Sequence, residues 1–247
     1  MTLPVHLVDP GALDGRGPGD PVLLEGAEAR HAVSVRRTAV GERVVLADGA
    51  GTSVTACVTG TGKDRLEAVV ESVAHEPEPS PRFVLVQALA KGGRDDQAVE
   101  AATECGVDEV VPWQAGRSIV RWRGDRGEKA RRGWDAVLVA ATKQSRRTRR
   151  PVLGPTSTTA DVADRVGSAA VAFVLHEEAT EPLAGADLPD AGDVVLVVGP
   201  EGGISAEELV TLEAAGARPV RLGAGVLRSS SAGPAALAVL SAMARWR

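Results

Sequence analysis

From residue 83 onward the chain alternates short apolar runs, each the length of one strand, with stretches of helical spacing. The runs are FVLVQALA (83–90), VDEVVPW (107–113), AAVAFVLHE (169–177), DVVLVV (193–198) and RPVRL (218–222). Runs that stay apolar at consecutive positions suit strands covered on both faces, and strands that alternate with helices build the parallel sheet of an α/β domain. Between the first two runs, Ala98, Val99, Ala102 and Cys105 mark one helical face, with Gly106 placed to end that helix. A second helix is expected over 131–144. Ser205 and Glu208 read as the capping box of a third, which Gly216 stops. A last helix is expected over 234–246, capped by at least one of Ser229, Ser230 and Ser231.

Before residue 75 the pattern is different. PVHLV, PVLLEG, ERVVLADG, TSVTACV and RLEAVVESV are short β-type runs separated by turn signals, with an Asp48-Gly49 hairpin signal between the third and fourth. Residues 1–74 therefore read as a small β domain, a barrel or curled sheet. Residues 75–82, HEPEPSPR, hold three prolines and no apolar residue and read as an extended linker. The second domain is then 83–247.

Composition excludes several classes. Cys57 and Cys105 are the only cysteines and lack partners at metal-ligand spacing, so no zinc site or disulfide framework is indicated and no metal is expected. The chain starts without a signal-like segment and has no run of membrane-spanning length, so a cytoplasmic protein with no membrane partner is expected. The absence of Tyr, with only six aromatic residues in all, argues against an aromatic base-stacking platform. Net charge is −5, but residues 117–150 hold twelve Lys or Arg against three acids, leaving the remainder at −14. A solvated helix face and a phosphate-binding surface both account for such a run.

Two glycine-rich segments carry the chemistry. VVGPEGGISAEEL runs a buried strand into Gly199, Pro200, Glu201, Gly202 and Gly203 before the capped helix. Glycines there let a backbone approach a ligand, although a tight structural turn would use them too. The dinucleotide fingerprint and the Walker motif are both absent. The second segment, LGAGVLRSSSAGPAAL (222–237), also follows a strand and precedes a helix. Two such loops at the carboxyl ends of strands in one sheet are where an α/β protein builds its ligand crevice. Arg228, among small residues, is placed to reach a ligand or RNA.

The pair GPEGG and LRSSSAG resembles the carboxyl-terminal signature of the RsmE family, SPOUT-class methyltransferases of 16S rRNA. Arg30-His31 with Val35-Arg36 and Gly41-Glu42 resembles its amino-terminal RNA-binding motif, ATECGVDEVVPWQAGRSIV its central stretch, and KQSRR a further motif, so the likeness spans nearly the whole chain. The sequence departs from the family where a frequent glutamate is Ser230, and where Ala140 stands in place of another.

The resemblance implies a PUA-like amino-terminal β-barrel domain and a SPOUT-type parallel sheet threaded into a trefoil knot. It further implies an enzyme that uses S-adenosylmethionine to methylate N3 of a uridine near the decoding centre of the 30S subunit, working as a homodimer. The cofactor loops would be Leu175, His176 and Glu177; Gly199, Pro200, Glu201, Gly202 and Gly203; and Leu222, Gly223, Val226, Leu227 and Arg228. RNA would meet Arg30, His31, Arg36, Arg117, Lys143, Gln144, Arg146, Arg147, Arg149 and Arg150. Loss of the uracil N3 proton spreads negative charge onto two carbonyl oxygens, so Arg228 is assigned to stabilise that charge. Glu201 is the candidate proton acceptor, weakened as a base by the helix that follows it. A ribose 2′-O-methyltransferase of the same knotted class and a non-catalytic RNA-binding protein are the rival readings.

Overall fold

The structure, a computed structural model, describes residues 3–246. It divides into two compact units: the chain up to Glu78 together with Thr142–Arg150, and Pro79–Ala141 together with the chain from Pro151.

The first unit is built on five strands, β1 (Val5–Leu7), β2 (Pro21–Glu25), β3 (Arg43–Ala47), β4 (Thr52–Thr61) and β5 (Arg65–His75). Each coincides with one of the five runs expected to form strands, with β4 and β5 running past theirs to Thr61 and to His75, the first residue of the expected linker. Their order is β1-β3-β4-β5-β2, with β1 parallel to β3 and the remaining pairs antiparallel. Irregular register between Thr55 and Ala56, and between Val58 and Gly60, increases the local twist of the long β4–β5 ladder and helps the sheet to curl. In β2, Val22 and Leu24 are buried while Pro21, Leu23 and Glu25 are exposed, the period-2 pattern of a half-buried strand. The buried face packs with Leu46, Val54 and Leu66 around Ala29 and Ala32. The Asp48-Gly49 turn forms as expected: Asp48 Oδ1 accepts from the Ala50 and Thr52 N–H groups at 2.7 and 3.0 Å, and Gly49 takes φ +72°. A short helix, α1 (Gly26–Arg30), runs directly into a π-helical turn, His31–Val35.

The second unit contains β6 (Arg82–Ala88), α2 (Arg94–Glu104), β7 (Glu109–Trp113), most of α3 (Gly124–Ser145), β8 (Val152–Leu153), α4 (Thr159–Ser168), β9 (Val171–Leu175), β10 (Asp193–Val198), α5 (Ala206–Ala214), β11 (Arg218–Val220) and α6 (Ser229–Ala244). All six strands are parallel, in the order β11-β9-β10-β6-β7-β8. Alternate residues of β6 serve opposite faces. Phe83 and Leu85 pack with Val99 and Ala102 of α2, Trp134 and Leu138 of α3 and Leu237 of α6. Val84 and Val86 pack with Val162 and Val166 of α4 and Leu212 of α5. This two-sided burial is why the strands read as continuous apolar runs.

Gly106, at φ +92°, ends α2, and Gly216, at φ +105°, ends α5 in the left-handed conformation that glycine supplies without strain. Helix α3 starts seven residues before the expected 131. The last helix differs more. It begins at Ser229, and its N-cap is Arg228, so none of the three serines holds the capping position. The Arg228 carbonyl accepts from the N–H groups of both Ser231 and Ala232 at 2.9 Å, and the serines become the first residues of the helix. Pro234 lies inside the first turns instead of opening the helix.

Candidate active site

At their carboxyl ends β9, β10 and β11 open into a cleft of about 760 Å³. The loops that sequence pairs with a cofactor all line it: Leu175–Glu177 after β9, Gly199–Gly203 after β10, and Leu222, Gly223 and Val226–Arg228 after β11. The sheet order places β9 between β10 and β11, so segments separated in sequence meet at one edge.

The Gly199–Gly203 loop is closely packed. A Cβ on Gly199 would lie 2.6 Å from Ile204 Cγ1, and one on Gly202 would lie 3.3 Å from Arg117 Cβ. Gly203 takes φ +72°. Two arginines from elsewhere in the unit hold the loop. Arg94, the first residue of α2, forms a 3.0 Å ion pair with Glu201, and Arg117 donates to the Gly202 carbonyl at 3.1 Å. Next to Arg94, burial pushes the Asp95 carboxyl above its ordinary range, an effect that N–H donation from Ala90 and Asp96 partly offsets. Across the cleft the Arg228 side chain is exposed and makes no hydrogen bond or ion pair among the described residues. His176 is engaged locally: its Nδ1 accepts from the Glu178 N–H at 3.3 Å.

Sequence reasoning missed Arg94, whose only signal was a charged residue after a Gly-Gly pair, and it assigned Arg117 to RNA without its role at Gly202. The partner of Glu201 lies 107 positions away, a pairing that no local pattern encodes.

The residues assigned to RNA other than Arg117 lie in the first unit, in two groups. His31 and Arg36 are exposed in and beside the π-helical turn, and Arg30 is an exposed member of a loose 3.6 Å pair with Asp64. In the second group Gln144 and Arg146 are exposed, and Arg146 adopts φ +59°. Lys143 pairs with Glu28 at 2.8 Å, and His6 reaches the same carboxylate at 3.1 Å. Arg149 donates to the carbonyls of Glu76 and Pro77 at 2.6 and 3.0 Å, and Arg147 and Arg150 are half-buried. The basic run is therefore not one uniform strip. Among the described residues there is no His, Cys, Asp or Glu cluster suited to a metal ion, and no helix is long and apolar enough to cross a membrane.

Comparison with known proteins gives this geometry its class. A family described as RNA methyltransferase domain matches residues 76–241, and one described as RNA methyltransferase PUA domain matches residues 24–71. The architecture is thus that of a PUA-bearing RNA methyltransferase. The ribosomal RNA small subunit methyltransferase E of Mycobacterium tuberculosis is 42% identical over 92% of this chain and 89% of that protein. That of Bacillus subtilis is 24% identical over 88% of each. A crystal structure of ribosomal RNA small subunit methyltransferase E from Neisseria gonorrhoeae, bound to S-adenosyl methionine, matches with a TM-score of 0.87 and 27% identity over 98% of both chains. The chain belongs to the ribosomal RNA small subunit methyltransferase E family, the one its glycine-rich motifs resemble. The parallel sheet and the PUA-like β domain expected from that resemblance are both present.

Proposed function

We propose that the protein transfers a methyl group from S-adenosylmethionine to N3 of a uridine near the decoding centre of 16S rRNA, acting as a homodimer on the 30S subunit. The observation that carries this reading is the convergence of three loops, with the family's two signatures among them, on one cleft. A volume of about 760 Å³ suits a cofactor-sized molecule, and at Gly199 and Gly202 a side chain would press on Ile204 and Arg117 and push the loop out of its place beside the cleft. The residues present therefore fit S-adenosylmethionine, which supplies an electrophilic methyl group when bound.

The chain's own task is alignment and charge. The loops after β9, β10 and β11 hold the donor, and Arg228, exposed on the same cleft, is free to meet the uracil carbonyl oxygens as the N3 proton leaves. Glu201 is the proton acceptor in this reading, acting from within its pair with Arg94. His31, Arg36 and Arg146 supply exposed groups for the RNA backbone.

The test is methyl transfer from isotopically labelled S-adenosylmethionine to 30S subunits that lack the modification, followed by nucleoside mass spectrometry. Label in a base-methylated uridine is the expected result. Label in a ribose-methylated nucleoside would favour the 2′-O reading, and cofactor and RNA binding without transfer would favour a binding protein.

A further inference from the structure

The Ser205–Glu208 capping box does more than cap a helix. The Glu208 side chain is buried, with only 7% of the residue exposed, and its two carboxylate oxygens receive three donors from three segments. Oε2 accepts from the Ser205 N–H at 3.1 Å, the contact that completes the box at the start of α5. Oε1 accepts from the Gly116 N–H at 2.7 Å and from the Thr159 hydroxyl at 2.8 Å. Thr159 opens α4, and its hydroxyl also receives the indole N–H of the buried Trp113 at 3.3 Å.

Gly116 adjoins Arg117, whose guanidinium holds the Gly202 carbonyl and whose Cβ packs where a Gly202 side chain would go. The turn has a second support, since Arg121 donates to the carbonyls of Gln114 and Gly116 at 3.1 and 2.8 Å. A continuous set of short contacts thus leads from the Glu208 carboxylate through Gly116 and Arg117 to the glycine loop of the cleft. A helix cap requires only the Ser205 contact, so the two bonds to Oε1 lie outside what capping demands.

We infer that Glu208 is a positioning residue for the cofactor: it fixes the Gly116–Arg117 turn, which in turn holds the Gly199–Gly203 loop in the shape that receives S-adenosylmethionine. This inference rests on the proposed function. A single carboxylate serves helix cap and turn together because a carboxylate is an acceptor only, and every group facing it here is a donor. A neutral amide keeps one acceptor oxygen but turns an NH2 group toward one of the donors, so Glu208→Gln retains part of the support.

Ser205 separates the two roles. Its hydroxyl accepts from the Glu208 N–H at 3.2 Å, so Ser205→Ala weakens the cap and leaves every contact of the Glu208 carboxylate in place. The experiment is isothermal titration of S-adenosylmethionine into the full-length wild type, Glu208→Ala, Glu208→Gln, Ser205→Ala, Arg117→Ala and the Glu208→Ala/Arg117→Ala pair, each with a thermal melt. Glu208→Ala should raise Kd about tenfold or more, the scale of one lost charge-assisted hydrogen bond. Glu208→Gln should fall between it and the wild type, and it serves as the probe where Glu208→Ala does not fold. Ser205→Ala should stay within about twofold of wild type despite a lower Tm. Residues acting through one set of contacts are non-additive, so the double variant should bind little worse than Glu208→Ala alone.

The inference is overturned if both Glu208 variants bind as tightly as wild type, if Ser205→Ala loses as much affinity as Glu208→Ala, or if the Arg117 and Glu208 effects simply multiply. Failure of the wild type to bind S-adenosylmethionine would instead remove the functional reading, and the inference with it.

Discussion

Gly199→Ala is the smallest change that tests whether the loop after β10 must pack as tightly as it does. The added Cβ would lie 2.6 Å from Ile204 Cγ1 and 3.4 Å from both Ile204 Cδ1 and Ile204 N. Carbon atoms in contact ordinarily sit about 3.5–4.0 Å apart, so the nearest overlap is on the order of 1 Å. Ile204 has little freedom to yield. It is 7% exposed, packs in the cluster under α4 and α5, and is β-branched, with a stiff χ1. Overpacking of this kind costs about 1–3 kcal/mol, which in a unit of this size lowers Tm by roughly 2–12 °C. The loop is the softer partner and should shift toward the cleft, raising Kd for S-adenosylmethionine about tenfold or more. The assay is a thermal melt and a cofactor titration on Gly199→Ala, Ile204→Ala and the double variant. Ile204→Ala alone should cost about 2–5 kcal/mol by leaving a cavity. In the double variant the overlap is gone, so its loss should fall short of the sum by about 1–3 kcal/mol. A Gly199→Ala protein that melts within about 1 °C of wild type and binds normally would refute the reasoning, as would strict additivity.

Three further outcomes follow from other contacts. Arg228→Lys keeps the charge but loses the planar fork, and in single-turnover transfer at saturating RNA and cofactor it should slow the chemical step, Arg228→Ala more so, with cofactor affinity and Tm near wild type; a defect cured by added RNA would reduce Arg228 to substrate binding. Arg146→Ala should lower the salt dependence of RNA affinity by about one phosphate contact, whereas Arg149→Ala should lower Tm, because Arg149 holds the carbonyls of Glu76 and Pro77; equal effects of the two on both readouts would show that the distinction is wrong. Burial alone would raise the Glu28 carboxyl, but hydrogen bonds from His6 and Lys143 and their charges outweigh it and hold it below its ordinary value of 4.5. A depressed folded-state value contributes stability that is present above pH 4.5 and is lost as pH falls through the folded value. Lys143→Met should therefore flatten the acid limb of a denaturant-melt series below that pH, and an unchanged limb would refute the assignment.

Legibility in the sequence tracked burial. DVVLVV became β10 residue for residue, because a central strand buried on both faces leaves polar residues only at its edges. The two-residue β8 is too short to write any period. Helix α4 went unread although Thr158 and Asp161 form a capping box and Val162 and Val166 are spaced one turn apart; its other residues are small, polar or charged, and only those two valines are buried. The start of α6 was misplaced because Pro234 resembles a helix opener, while the N-cap is an arginine that caps with no side-chain bond. In the cleft Gly199 and Gly202 were legible because close packing against Ile204 and Arg117 leaves little room for anything larger. Arg94, Arg117 and Glu208 were not recognised in their roles at the loop, since each acts on residues distant in the chain and is an ordinary surface or capping residue by local pattern.

The strand order has a consequence for how the chain comes into being. β10 lies between β6 and β9, so a growing polypeptide that has reached residue 192 holds two strands whose shared neighbour has not yet been made. Parallel pairing across such separations is slow and leaves apolar edges open while it waits. The loops of the cleft emerge late, between residues 175 and 229, and the one after β10 closes against Arg94 and Arg117, made long before. A nascent chain arrested before β11 therefore has the braces and two of the three loops but lacks the third, so the cleft is complete only once Leu222–Arg228 has been made.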